Sequence, residues 1–214
     1  MRIRRTASHI VQAAATSGRR VGFLPYRPEQ WTRDQWTSAY DAGTLEYYNR
    51  LDEMARYSVI LGYVGWFAET LGRPASILDV GCGVGLLRQR LCDDVFSQYV
   101  GVDLSAAAIA DALSQAHVRS RFIVGDVASA ELGRFDIVIL NEVLYYASDP
   151  PGFLRELRRV RNNNGLLIVS MWRHPGDRIL WRTVDGTNPI VDRVEVRNRA
   201  NPTNPKGWLV AACR

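Results

Sequence analysis

Three glycines at alternate positions, Gly81, Gly83 and Gly85, follow the apolar run Ile77-Leu78-Asp79-Val80. Glycine takes positive φ freely and lets a ligand approach closer than a Cβ would permit, so the segment reads as a strand, a cradle and the start of a helix. A dinucleotide site is marked by G-x-G-x-x-G, with pyrophosphate on the helix N-terminus. Here the spacing is G-x-G-x-G, and Asp79 puts a carboxylate two residues ahead of it. That charge opposes a pyrophosphate and suits an amino group. Eighteen residues beyond Gly85, the run Tyr99-Val100-Gly101-Val102 ends on Asp103, a carboxylate placed to accept from the two hydroxyls of a ribose.

A ribose and an ammonium in one ligand describe S-adenosylmethionine, and at these residues the chain resembles the class I S-adenosylmethionine-dependent methyltransferases. The resemblance covers roughly residues 76–170. It rests on the loop from Asp79 to Gly85, on Asp103, on Val124-Gly125-Asp126-Val127, and on Phe135-Asp136-Ile137-Val138-Ile139-Leu140-Asn141-Glu142. It implies an α/β fold: a Rossmann-like, seven-stranded, mostly parallel sheet with an antiparallel last strand, helices on both faces and an N-terminal helical lid. It further implies that Asp79, Gly81, Gly83 and Gly85 receive the methionine portion of S-adenosylmethionine, with Arg56 pairing with its carboxylate. Asp103 would hold the ribose, Leu104 pack on the adenine, Asp126 accept from the adenine amino group and Val127 donate a backbone N–H to the ring. Asn141 would stand beside the methyl group. Two bland roles compete: Asp103 as cap of a helix starting at Ser105, and Asp126 as cap of a turn.

Displacement of a methyl group from a sulfonium leaves a neutral thioether, so holding the reactants in line supplies much of the catalysis. A general base helps when the acceptor is a hydroxyl or a protonated amine. Glu142, Tyr145 and His174 are the candidates, each at or just past a strand end; Glu142 also suits the first turn of a helix. The Asn/Asp-Pro-Pro-aromatic sequence of many DNA and protein-amide methyltransferases is replaced here by Asn141-Glu142-Val143-Leu144, and no Pro-Cys nucleophile is present. Planar bases are thereby disfavoured. Glu142-Val143-Leu144-Tyr145-Tyr146 is similar to the corresponding segment of rhizobial nodulation N-methyltransferases, which modify an amino sugar, and this points to a small-molecule acceptor, a saccharide first.

These residues need a scaffold. Strands are predicted near 76–80, 98–103, 120–124, 135–140 and 165–172, with helices over 84–92, 105–116 and 151–161, an alternation that gives a parallel sheet covered on both faces. Val191 to Val196 and Gly207 to Ala212 read as a late hairpin at one edge. Ahead of this core (residues 76–214), residues 1–75 read as a helical segment: Ala7 to Ala15, the aromatic-rich Glu29 to Asn49, and Arg50 to Leu71 with apolar residues at three-and-four spacing. Trp31, Trp36, Tyr40, Tyr47, Tyr48 and Tyr57 offer ring faces for a lid, and Tyr40 is a further proton acceptor within it.

The composition sets bounds. In 214 residues, 27 Lys and Arg against 22 Asp and Glu give a net charge of +5. Residues 1–28 carry six arginines and no acid, which suits a solvated face, a nucleic-acid arm or a targeting segment. Without aromatic interleaving, nucleic acid is the weaker partner. Cys82, Cys92 and Cys213 form no C-x-x-C pair, and no His/Cys cluster has metal-ligand spacing, so neither disulfide nor metal is expected. No apolar run has spanning length, and a cytoplasmic location is expected. Two rival functions stay open, a methyltransferase-fold scaffold without catalysis and an RNA or DNA methyltransferase; oligomeric state is not encoded in these patterns.

Overall fold

The computed structural model describes residues 31–43, 45–114, 118–174, 176–199 and 206–214. The helix expected over Ala7 to Ala15 and most of the arginine-rich start lie outside these residues. Seven strands form one sheet: β1 (Ala75–Val80), β2 (Phe96–Asp103), β3 (Ser120–Val124), β4 (Phe135–Asn141), β5 (Arg161–Trp172), β6 (Ile190–Asn198) and β7 (Lys206–Cys213). Their order is β3-β2-β1-β4-β5-β7-β6. The first five run parallel, and β7 lies antiparallel between β5 and β6. The expected sheet, including its antiparallel last strand, is present.

Strand periodicity builds two cores. Ile77, Ile137, Ile139, Leu166 and Ile168 face one side, and Leu78, Val138, Leu140, Leu167 and Val169 the other. Both faces are apolar because both are covered. On the first lie α2 (Met54–Leu71) and α3 (Ala106–Ser114), through Tyr57, Ile60, Val64, Phe67, Ile109 and Ala112. On the second lie α4 (Pro150–Val160) and α5 (Asp177–Thr187), through Leu154, Leu157, Trp181 and Val184. The α2 helix is therefore part of the core packing. It ends at Gly72, whose φ of 66° provides the left-handed C-terminal turn. The remaining helix, α1 (Arg33–Asp41), starts with a reciprocal cap between Thr32 and Gln35 and buries no residue fully.

Two expectations change. Residues 84–92 form turns and a single 3-10 turn at Arg88–Arg90 instead of an α-helix. Gly85 has φ +76°, and a left-handed residue cannot sit inside a right-handed helix. Helix α5 has no counterpart among the expected elements, because its buried side chains are only Leu180, Trp181 and Val184, too few for a long apolar stripe.

Candidate active site

The C-terminal ends of β1, β2 and β4 open into a cavity of about 1030 Å³, where an open α/β sheet binds ligands. Its floor is the glycine loop. Gly81 and Gly83 take φ of 71° and 52°, and a Cβ on Gly83 would stand 2.6 Å from the Tyr40 hydroxyl oxygen. Trp36 and Tyr40 of α1, Tyr48, and Arg56 and Tyr57 of α2 form the wall on the N-terminal side. The Trp36 ring meets Tyr146 edge-on, 4.9 Å between centroids, so α1 spans from the glycine loop to the segment after β4.

Asp79, 2% exposed, lies at the bottom. Its Oδ2 accepts from the Tyr99 hydroxyl at 2.5 Å, while Oδ1 is buried without a partner among the described residues. Burial raises this carboxyl to about 7, with the Asp103 charge adding to the rise and the Tyr99 bond opposing it. Asp103 accepts from the Gly83 N–H and the Ser105 N–H, both at 2.9 Å, and burial raises its pKa as well. It thus ties the glycine loop to β2 and orients Ser105, whose own hydroxyl caps α3 by accepting from the Ala108 N–H at 3.2 Å, and a carboxylate has lone pairs left for further donors. Leu104, Asp126 and Val127 also line the cavity. Asp126 is exposed and forms a turn by accepting from the Ala128 N–H at 2.9 Å.

Arg56 is 1% exposed. Its Nε donates to Asn141 Oδ1 at 3.1 Å, one terminal nitrogen to the Tyr57 hydroxyl at 3.3 Å, and the other to Glu53 in a short ion pair. Glu53 in turn accepts from Lys206 of β7 at 2.5 Å. This buried cluster holds Asn141 at the end of β4. Glu142 comes next in the chain with φ +64°, uncommon for a residue with a side chain. Its carboxylate accepts from the Ser170 hydroxyl at 2.7 Å, the Tyr145 hydroxyl at 2.9 Å and the Trp172 N–H at 3.1 Å.

Of the residues expected here, Arg56, Asp79, Gly81, Gly83, Asp103, Leu104, Asp126, Val127, Asn141 and Glu142 line the cavity, and three do not. Gly85 turns away, where a Cβ would come within 3.2 Å of Phe122 and 3.4 Å of Ala112; its glycine serves packing. Tyr145 lies behind Glu142, its hydroxyl spent on that carboxylate. His174 is outside the cavity, its Nδ1 accepting from the Gly176 N–H at 3.1 Å, and burial lowers its pKa. Sequence reasoning missed Glu53, Phe153 and Glu156. Only Glu53 carried a signal, its spacing of three residues from Arg56 on a helical stretch.

Residues 78–169 match the family model described as a methyltransferase domain. A 2-methyl-6-phytyl-1,4-hydroquinone methyltransferase of Synechocystis sp. is 32% identical over 114 residues, 51% of this chain and 36% of that protein. A ubiquinone biosynthesis O-methyltransferase of Azorhizobium caulinodans is 38% identical over 120 residues, 52% of this chain and 47% of that protein. The chain thus spans less than half the length of these relatives. The fold is shared with the N-methyltransferase NodS of Bradyrhizobium japonicum WM9 in complex with S-adenosyl-L-homocysteine (TM-score 0.64, 16% identity, 79% of this chain and 90% of that one). It is also shared with a 1,6-didemethyltoxoflavin-N1-methyltransferase of Burkholderia thailandensis (TM-score 0.68, 20% identity, 89% and 93%). Over its matched residues the chain is similar to S-adenosylmethionine-dependent methyltransferases, and its sheet has the fold of these solved methyltransferase structures.

Proposed function

We propose that this chain transfers a methyl group from S-adenosylmethionine to an oxygen or nitrogen of a ring-bearing small molecule. One observation carries the reading: a cavity floored by left-handed glycines and lined at its bottom by Asp79, one carboxylate oxygen of which is buried without a partner among the described residues. That oxygen suits the cofactor's ammonium group. Asp103, oriented by two backbone donors, suits the ribose hydroxyls, and Asp126 with Val127 the adenine edge. Arg56 has spent three N–H donors on protein partners, and its remaining donors are assigned to the methionine carboxylate. The cofactor supplies a methyl group on a positively charged sulfur, and the protein's task is alignment and removal of water. Residues 33–49 act as the lid. Of the strand-end proton acceptors Glu142, Tyr145 and His174, Glu142 is the one on the cavity wall, and Tyr40 of the lid lines it as well.

For the acceptor we propose a saccharide, supported by the ring faces of Trp36, Tyr48 and Tyr146 in the cavity. A phenolic ring is the second reading, favoured by the same rings and by relatives that methylate a hydroquinone and ubiquinone precursors. Calorimetry with S-adenosylmethionine and NAD tests the cofactor. Asp103→Ala is expected to weaken S-adenosylmethionine binding by roughly 1.5–3 kcal/mol, the worth of hydrogen bonds to a charged group. Tight NAD binding without a response to S-adenosylmethionine would refute the reading. Methyl release across sugars, amino sugars and phenols then separates the two acceptors.

A further inference from the structure

Lys206 is the one lysine among the chain's 27 Lys and Arg, and the fold spends it on the cluster around Arg56. Its Nζ lies 2.5 Å from Glu53 Oε1 and 2.9 Å from Asp52 Oδ2. The second oxygen of Glu53 holds Arg56, whose Nε donates to Asn141 at 3.1 Å. Two carboxylates and two cations therefore balance within one cluster, and its inner members, Arg56 and Glu53, are 1% and 3% exposed. Residues two apart on a strand share a face, and the Trp208 ring centroid, two positions beyond Lys206, lies 5.4 Å from the Arg56 guanidinium carbon. Strand β7 thus acts on this guanidinium twice, by charge through Glu53 and by a ring face. Of the four charged residues only Arg56 lines the cavity.

We infer that Lys206 is a positioning residue for cofactor binding: by holding Glu53 and Asp52 it keeps Arg56 available to the carboxylate of the cofactor's methionine portion. The inference rests on the methyltransferase reading, with its assignment of Arg56, and deepens it. With Lys206 in place, the ligand carboxylate meets a cluster of no net charge whose guanidinium has donors left. Without it, two carboxylates share one guanidinium and the cluster is negative, and burial leaves little solvent to screen that charge. The ligand carboxylate loses attraction, while the amine, ribose and adenine meet Asp79, Asp103 and Asp126 as before. The effect is therefore confined to the one ligand group that Arg56 takes. A lysine serving strand packing alone would not select among the groups of a ligand.

The test is calorimetry of the full chain with two probes, S-adenosylhomocysteine and its decarboxylated analogue 5′-(3-aminopropylthio)-5′-deoxyadenosine, which keeps every other group. Lys206→Met is expected to weaken S-adenosylhomocysteine about tenfold and the analogue less than about twofold, with Lys206→Arg preserving the wild-type ratio. Acetylation of the folded wild-type chain, whose one ε-amine belongs to Lys206, is expected to reproduce the selective loss. Reductive methylation, which keeps the charge, is expected to leave both affinities unchanged. The Lys206→Arg chain controls for the N-terminal amine in both treatments, and the chemical route decides the matter where Lys206→Met fails to fold. Equal weakening of both probes, or of neither, overturns the inference, as does a wild-type chain that binds the two equally tightly. Failure of the wild-type chain to bind S-adenosylhomocysteine would instead refute the methyltransferase reading.

Discussion

At the scale of residues, Asp79 makes a pH-dependent prediction. Its carboxyl is raised from 3.8 to about 7 in the folded protein, so the folded state holds a proton that the unfolded state has released. Its contribution to stability is present below about pH 4 and is lost as pH rises through about 7. Binding a cation there runs the other way, since only the carboxylate attracts it. Affinity for S-adenosylmethionine is expected to rise between about pH 6 and 8, and Asp79→Asn to flatten that rise, as read by calorimetry at fixed salt. Glu142 predicts a split between chemistry and binding. Glu142→Gln is expected to lower turnover about 10²–10⁴-fold, the range of general-base catalysis, with cofactor affinity nearly unchanged. Full turnover would leave alignment as the source of rate. The acids were legible because their positions relative to strand ends are visible in the chain. The exclusion of Tyr145 and His174 was not, because it depends on which way the chain turns after a strand: the left-handed Glu142 directs Tyr145 behind its own carboxylate.

At the scale of elements, the glycine loop and α2 divide the work of shaping the site. The loop itself is legible in the chain, but the role of its last glycine is not. Gly85 has the spacing of a ligand contact, whereas its left-handed backbone packs against Phe122 and Ala112. Helix α2 reads as amphipathic at sequence level, but its periodicity hides the buried Arg56 on the apolar face. That guanidinium is tolerable only because Glu53 and Asn141 meet it, the latter from 85 residues away. The partner set was invisible without the fold. Because both charges are nearly fully buried (1% and 3% exposed), removing one leaves the other uncompensated. Glu53→Ala is expected to cost roughly 3–5 kcal/mol in denaturant unfolding, whereas replacement of the exposed pair Arg173 and Glu195 is expected to leave the unfolding midpoint nearly unchanged.

At the scale of the whole molecule, the sheet and its two cores close without the residues ahead of α2. Leu45 is the only residue before position 50 among the buried apolar side chains of the described chain, and it belongs to neither core cluster. Trp36, Tyr40 and Tyr48 instead have the cavity as their common neighbour. A segment that contributes little to the core and much to one wall of a cavity is retained for what the cavity holds. Deleting residues 1–49 is therefore expected to leave the cooperative unfolding transition in place, since the apolar area of the described residues in this segment is mainly at the cavity rim. The same deletion is expected to weaken retention of S-adenosylhomocysteine, because water gains access to Asp79 and Asp103 and a charged contact in a wetter site is worth less. Denaturant unfolding and calorimetry on one truncated preparation separate the two effects. Loss of folding would make the segment part of the core, and unchanged affinity would remove its role as a lid.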